Sequence, residues 1–123
     1  MNPRRRIRST NPDLTNLIRL LRRKSRENEV AIWRDAAERM SKPKRQRIAV
    51  NISRIDRYTQ ENDDVLVPGK VLGAGLITRP VRVAALDFSD QARAKIHKAK
   101  GKCLSISELV EMNPKGTNVK IIG

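Results

Sequence analysis

Aromatic residues, histidine and cysteine are scarce in this chain of 123 residues. Trp33, Tyr58 and Phe88 make up the 2% aromatic content, and His97 and Cys103 are single residues of their types. Proteins that read unpaired nucleotides usually stack bases on several aromatic rings, and a zinc site needs three or four ligands. We therefore expect no base-stacking platform, no metal site and no cofactor. A lone cysteine also excludes an internal disulfide.

Long apolar runs are absent as well. The longest runs span a few residues, as at 48–50 and 84–86, which is far too short to cross a bilayer. No apolar segment of the kind found in secretory signals follows Arg4-Arg5-Arg6. Together with the single cysteine, these absences predict a cytoplasmic protein.

Basic charge is what the chain has in excess, with 27 Lys and Arg against 13 Asp and Glu. Residues 1–57 hold 17 of the basic and 6 of the acidic residues, a net charge of +11, whereas the remaining 66 residues have a net charge of only +3. Such a concentration of charge predicts a polyanionic partner, and nucleic acid is the first candidate. Because aromatics are few, we expect contacts to phosphates, sugars and RNA shape.

The first predicted helix follows Asn11-Pro12-Asp13, a typical helix start, and runs to about Glu27. It carries two stripes, centred roughly 130° apart at about 100° per residue. The apolar stripe consists of Leu14, Leu17, Ile18 and Leu21, and the basic stripe of Arg19, Arg22, Arg23 and Arg26. One face is thus predicted to pack on the protein while the other binds phosphates. A basic amphipathic helix could instead lie on a membrane, but this one has no Trp or Phe on its apolar face.

Further basic residues surround this helix. An N-terminal arm, residues 1–9, contains Arg4, Arg5, Arg6 and Arg8. A loop carries Lys42, Lys44, Arg45 and Arg47, and a short helix carries Arg54 and Arg57. All of these residues, with the stripe of the first helix, are predicted to bind RNA.

The remaining patterns predict a single α/β domain over residues 10–123. Helices are expected from Val30 to Met40, from Ile52 to Tyr58, after Ser89 to a stop at Gly101, and after Ser105, which forms a capping box with Glu108. Strands are expected at residues 48–50, 65–67, 81–87 and 119–122, with Pro68-Gly69 as a turn.

Candidates for catalysis are weak, and we expect no enzyme. Glu61, Asp63 and Asp64 are neighbours in sequence and are interpreted as a solvated loop. The glycines of residues 69–75 lack the spacing of a phosphate-binding loop, so we interpret them as structural. His97 is expected to be a solvated helical residue, and Cys103 a small buried one.

Several segments, taken in order, resemble one known family. They are Thr10-Asn11-Pro12, Ala31-Ile32-Trp33-Arg34-Asp35-Ala36-Ala37-Glu38-Arg39 with Lys42-Pro43, Val50-Asn51-Ile52 with Arg54-Ile55-Asp56-Arg57-Tyr58, and Val67-Pro68-Gly69-Lys70-Val71-Leu72-Gly73-Ala74-Gly75 followed by Asp87-Phe88-Ser89. In these segments the chain is similar to the archaeal and eukaryotic large-subunit ribosomal protein family L-eighteen-e. Part of the pattern also resembles the C-terminal part of bacterial L-fifteen ribosomal proteins.

The resemblance implies a compact α/β domain of layered, irregular sheet with packed helices, built into the large ribosomal subunit beside rRNA and neighbouring ribosomal proteins. It implies no enzymatic activity. It also implies that Lys42, Arg54, Arg57 and Lys70 are basic positions of the family pattern, which adds Lys70 to the residues predicted to bind RNA. Charge alone also fits a free DNA-binding or nucleoid-type protein, but no DNA-reading motif is present.

Overall fold

The computed structural model describes residues 12–43 and 48–123, which form five helices and five strands. The helices are α1 (Pro12–Asn28), α2 (Ile32–Met40), α3 (Ile52–Tyr58), α4 (Asp90–Lys98) and α5 (Ile106–Met112). The strands are β1 (Ile48–Asn51), β2 (Asp64–Leu72), β3 (Arg82–Phe88), β4 (Lys102–Leu104) and β5 (Val119–Ile121). The predicted arm at 1–9, the cap at Asn11 and the basic residues Lys44, Arg45 and Arg47 lie outside the described residues.

The five strands form one sheet in which every described pairing is parallel, in the order β1-β2-β3-β4. Strand β5 also pairs with β2. Strand β5 pairs with residues 64–66 of β2, and β1 pairs with residues 69–72 of β2. Since β3 covers the other edge of β2, β5 and β1 follow each other along a single edge.

Helices cover both faces of the sheet, as a parallel sheet requires. Successive residues of a strand face opposite sides. Val65 and Val67 accordingly join the apolar cluster beneath α3 and α4, while Leu66 joins the cluster beneath α1, α2 and α5. This three-layer arrangement confirms the predicted α/β class of layered sheet and packed helices.

Most predicted elements are confirmed, and some of their ends differ. Helix α3 and the capping box of α5 are as predicted, with the Ser105 hydroxyl accepting from the Glu108 N–H and the Glu108 carboxylate accepting from the Ser105 N–H. Helix α2 begins at Ile32 instead of Val30, because the Val30 N–H donates to the Ser25 carbonyl at 3.1 Å and so belongs to the end of α1, where Glu29 has a φ of 55°. Strand β4 is an addition to the predicted elements, since its three residues include no β-branched side chain that would mark a strand.

The turn predicted at Pro68-Gly69 is wrong, because strand β2 runs straight through it. At this point the partner on one edge changes from β5 to β1, and the register with β3 on the other edge shifts between Val67 and Lys70. Proline has no N–H to donate and is tolerated where a ladder is already interrupted. The Pro68-Gly69 pair therefore marks a shift in strand register and not a turn.

The stop predicted for α4 at Gly101 is displaced by one residue. Lys100 adopts the left-handed conformation (φ 68°) that ends the helix, and the Gly101 N–H donates to the Ile96 carbonyl at 2.9 Å. Glycine is needed at 101 for a different reason. A Cβ there would lie 2.4 Å from the carbonyl oxygen of Val81.

Replacing Gly69 with alanine should destabilise the fold by about 3 kcal/mol, at the upper end of the usual cost of overpacking. A Cβ at this position would lie 1.9 Å from the Ile48 carbonyl oxygen, so β1 would have to move away from β2. Urea unfolding followed by circular dichroism measures the change. Lys70→Ala, at the exposed neighbouring position, serves as the control and should cost less than about 0.5 kcal/mol. Equal losses in the two variants would contradict the steric explanation.

Candidate nucleic-acid interface

Helix α1 separates its two stripes as predicted. Leu21 is fully buried, and Leu14, Leu17 and Ile18 pack partly buried against the same apolar cluster as Trp33. The four arginines of the second stripe, which we call the α1 arginine stripe, are all exposed: Arg19, Arg22, Arg23 and Arg26. The packing of one face thus fixes the direction in which the guanidinium groups point.

The contacts of the α1 arginine stripe leave it open to a ligand. Arg23 Nε lies 3.8 Å from Glu27 Oε2, and both side chains are more than half exposed. Arg22 Nη2 lies 3.5 Å from the Ser41 hydroxyl. Exposed contacts of this kind contribute little to stability. Exchanging them for phosphate contacts therefore costs the protein little.

Helix α2 adds a residue to this surface that the sequence patterns did not predict. Arg34 lines a groove between α1 and α2 together with Arg22 and Arg26. Glu29 and Glu38 line the same groove, so its charge is mixed. Only the packing of α2 against α1 shows that Arg34 faces the stripe.

The basic loop begins beside the α1 arginine stripe. Lys42 is exposed and follows Ser41, whose hydroxyl lies near Arg22. The rest of this loop, Lys44, Arg45 and Arg47, and the arm residues Arg4, Arg5, Arg6 and Arg8 lie outside the described residues. Their RNA contacts stay predictions.

Helix α3 carries its two predicted arginines on its solvent face. Arg54 and Arg57 are exposed, while Ile52 and Ile55 are buried beneath them. Arg54 shares a groove with Arg39 of α2, at the edge of the sheet where β5 lies. Basic side chains therefore continue from the α1 and α2 face of the sheet around this edge to α3.

Lys70 differs from the other predicted residues. It is exposed at the β2–β3 pairing, and its Nζ lies 3.7 Å from Asp87 Oδ2. Both side chains are about half exposed, so the ion pair is weak. Because Asp87 is negatively charged, it repels a phosphate that approaches Lys70.

A second group of basic residues, which the sequence analysis did not assign to RNA binding, lies on α4, on β4 and in the turn between them. The members of this cluster, the α4–β4 cluster, are Arg93, Lys98, Lys100 and Lys102. All four are exposed, and none forms an ion pair with a carboxylate in the described parts of the chain.

The α4–β4 cluster does not show in the net charge of its half of the chain, which is nearly neutral. Three of that half's carboxylates, Asp63, Asp64 and Asp87, are paired with Lys120, Arg82 and Lys70. Local pairing thus removes acid and base together elsewhere and leaves the cluster uncompensated. A charge count over the whole half conceals the cluster, whereas a count over residues 91–102 shows five basic residues and no acidic one.

The interpretation of Glu61, Asp63 and Asp64 as a solvated loop is only partly confirmed. Glu61 is exposed, but Asp64 begins β2 and is only 8% exposed, which contradicts a solvated loop. Its Oδ1 accepts from Arg82 Nε at 2.5 Å, and Asn113 Nδ2 lies 3.4 Å from its other oxygen. A buried carboxylate needs such partners, so Asp64 is part of the structure of the strand ends.

Asp63 and Lys120 form an ion pair whose effect on pH stability can be tested. Lys120 Nζ donates to Asp63 Oδ2 at 2.8 Å and the Gln60 N–H donates at 2.7 Å, and these bonds lower the pKa of Asp63. The pair therefore stabilises the fold above the unfolded-state pKa of about 4. This contribution is lost as the pH falls through the lower folded-state pKa.

Replacing Lys120 with methionine should raise the pKa of Asp63 towards its usual value, as measured by carbon-detected NMR titration of its carboxyl group. Lys115→Met removes the same charge from an exposed position and should leave the Asp63 titration unchanged. If Asp63 titrates at the same pH in all three proteins, the ion pair does not set its pKa.

The other residues considered for chemistry have structural surroundings. His97 is exposed on α4, and Cys103 is half-buried against the core, where burial raises the pKa of its thiol. Lys95 Nζ donates to the carbonyls of Gly73 and Gly75 at 2.9 and 2.8 Å. A Cβ on Gly73 would lie 2.7 Å from Gln91 Cβ of α4, and one on Gly75 would lie 2.4 Å from Ser53 Cβ of α3, so these glycines serve the packing of their loop. Among residues 12–43 and 48–123, no three His, Cys, Asp or Glu side chains are grouped as metal ligands would be.

None of the described helices combines the length and the apolar character of a membrane span. The fold and the surface together define a class: small, strongly basic α/β proteins that present guanidinium and ammonium groups to a polyanion.

Comparison with known proteins identifies the family. A family model described as "Ribosomal protein 60S L18 and 50S L18e" matches residues 1–123, and the chain belongs to this family. This confirms the resemblance found in the sequence motifs. Large ribosomal subunit protein eL18 of Methanoregula boonei is 51% identical over 118 residues, which cover 96% of this chain and 98% of the relative.

Two further relatives bear the same name. The protein of Archaeoglobus fulgidus is 48% identical over 116 residues, covering 94% of this chain and 99% of its own. That of Methanothermobacter thermautotrophicus is 52% identical over 118 residues, covering 96% and 98%. The similarity thus extends over nearly the whole length of each protein.

Proposed function

We propose that this protein is a structural constituent of the large ribosomal subunit and binds large-subunit rRNA through the α1 arginine stripe and its extension around the sheet edge. Full-length similarity to archaeal proteins named for this subunit carries the proposal. The family is one of ribosomal structural proteins, so the chain is not an enzyme. Its place is the cytoplasmic ribosome, beside rRNA and neighbouring ribosomal proteins.

The two basic surfaces support a bridging role. The α1 arginine stripe belongs to the layer of α1, α2 and α5, whereas Arg93 and Lys98 of the α4–β4 cluster lie on α4, on the opposite side of the sheet. A single RNA helix contacts one side of so small a domain. Exposed cations on both sides therefore favour contacts with two separate rRNA segments, mainly through phosphates and 2′-hydroxyls.

Crosslinking of the intact large subunit tests the proposal. Ultraviolet irradiation followed by mass spectrometry should give RNA adducts on peptides from α1, α3 and the α4–β4 cluster. Peptides from α5, whose exposed charges are Glu108 and Glu111, serve as the internal control and should carry none. Absence of the protein from the subunit peak in moderate salt would overturn the function. Adducts confined to residues after 60 would overturn the assignment of the α1 surface.

A further inference from the structure

Tyr58 is placed unlike the other two aromatic residues. Trp33 is fully buried, and Phe88 is 8% exposed beneath Arg93, whose guanidinium carbon lies 5.1 Å from the ring centre. Tyr58, at the end of α3, is 55% exposed. The scarcity of aromatics excluded a platform of several rings, but it leaves this one ring available at the surface.

The surroundings of Tyr58 form a basic groove, which we call the Tyr58 groove. Its volume is about 470 Å³, within the range of small-ligand pockets. Its cationic residues come from three elements: Arg39 from α2, Arg54 from α3 and Lys120 from β5. Residues 121–123 complete the lining.

Hydrogen bonds across the groove hold its walls in place. Lys120 Nζ lies 3.3 Å from the carbonyl oxygen of Tyr58 and 2.8 Å from Asp63 Oδ2. Arg39 Nη1 lies 2.5 Å from the carbonyl oxygen of Gly123. These contacts join the end of α3, the end of α2 and strand β5, so the ring stands on a defined surface.

Arg54 is the cation that the groove leaves available. It is exposed, one helical turn before Tyr58, and has no hydrogen-bond or ion-pair partner among residues 12–43 and 48–123. Arg57 is exposed on the neighbouring position of the same helix. A flat aromatic ring beside a guanidinium group that has no partner in the described parts of the chain matches a nucleotide, whose flat base and anionic phosphates are linked at a short distance.

We propose that Tyr58 stacks on an unpaired base of the rRNA while Arg54 binds an adjacent phosphate. This inference rests on the proposed rRNA binding and adds a base contact to it. A peptide segment of a neighbouring protein could also cover an exposed ring. The excess of cations around the groove favours a polyanion over such a segment.

Binding of a labelled large-subunit rRNA transcript to Tyr58 variants tests whether Tyr58 stacks on a base. Tyr58→Ala and Tyr58→Leu should each weaken binding about tenfold, because neither side chain can stack on a base as an aromatic ring does. Tyr58→Phe keeps the stack and should stay within about twofold of the wild type. The slope of affinity against salt concentration should not change in any of them, since the ring neutralises no phosphate.

Leu76→Ala is the matched control, because it removes another exposed apolar side chain, 70% exposed, and should leave affinity unchanged.

Crosslinking of the intact subunit gives an independent measurement. A nucleotide adduct should map to Tyr58 itself, at the start of the tryptic peptide 58–70. Unchanged affinity of Tyr58→Ala, or a Tyr58 crosslink to a protein neighbour in place of RNA, overturns the stack. Either result leaves the proposed function standing if Arg→Gln changes in α1 still weaken binding.

Discussion

Replacing all four residues of the α1 arginine stripe with glutamine should weaken binding to large-subunit rRNA on the order of a thousandfold at 0.1 M salt. Each phosphate that is no longer neutralised lowers the slope of log affinity against log salt by roughly 0.7 to 0.9, so the four substitutions together change the slope by about 3. Glutamine has nearly the helix propensity of arginine. The helix therefore keeps its structure, and the change in affinity reports the missing charges. Filter binding over a series of salt concentrations measures both quantities.

Single substitutions provide the control for this experiment. Arg19→Gln should reduce the salt slope by nearly one, whereas Lys115→Gln, which removes one charge near the α5–β5 connection, should leave it unchanged. A uniform fall in affinity in both single variants would mean that net charge, and no particular surface, governs binding. Unfolding by urea should be the same in the fourfold variant and the wild type within about 1 kcal/mol, because the stripe's contacts are exposed.

The helices were predictable because their signals are local. The two stripes of α1, the Ser89 cap and the Ser105–Glu108 capping box each lie within a few neighbouring residues, and the structure confirms them. The path of β2 through Pro68 was not predictable in this way. It depends on the meeting of β5 and β1 along one edge, and those strands are separated by most of the chain.

The proposed binding surface also has a part that could be predicted from local sequence and a part that could not. The α1 arginine stripe could be predicted, since one helix holds all its members. The Tyr58 groove joins Arg39, Arg54 and Lys120 from three separate elements, and no periodicity connects them. The α4–β4 cluster could also have been predicted, since residues 91–102 hold five basic residues and no acidic one. Only the average over its nearly neutral half of the chain conceals it.

The position of the α1 arginine stripe depends on a residue that is buried in the core. Trp33 of α2 is fully buried in the apolar cluster that also receives Leu21 of α1. Its Nε1 donates to the Pro114 carbonyl at 2.7 Å, and a Cβ on Gly116 would come within 3.6 Å of its ring. The α5–β5 connection thus closes over the same side chain that supports α1.

Trp33→Ala should therefore lower the free energy of unfolding by about 4 kcal/mol, the usual cost of a large cavity in a core. This is a large part of the roughly 5 to 15 kcal/mol that stabilises a typical domain. Because the variant has no tryptophan left, urea unfolding is followed by far-UV circular dichroism. Trp33→Phe fills most of the volume but cannot donate to Pro114, and should be destabilised less, by about 1 to 2 kcal/mol.

The Trp33 variants also distinguish a residue that supports α1 from the residues proposed to bind RNA. Where Trp33→Ala is only partly folded, its rRNA affinity should fall in proportion to the folded fraction, while its salt slope stays that of the wild type, because every side chain proposed to bind phosphate is kept. The fourfold arginine variant should show the reverse, a reduced slope with unchanged stability. If Trp33→Ala reduces the salt slope as the arginine changes do, then Trp33 does more than hold α1 in place, and the separation of a supporting core from a binding surface is wrong.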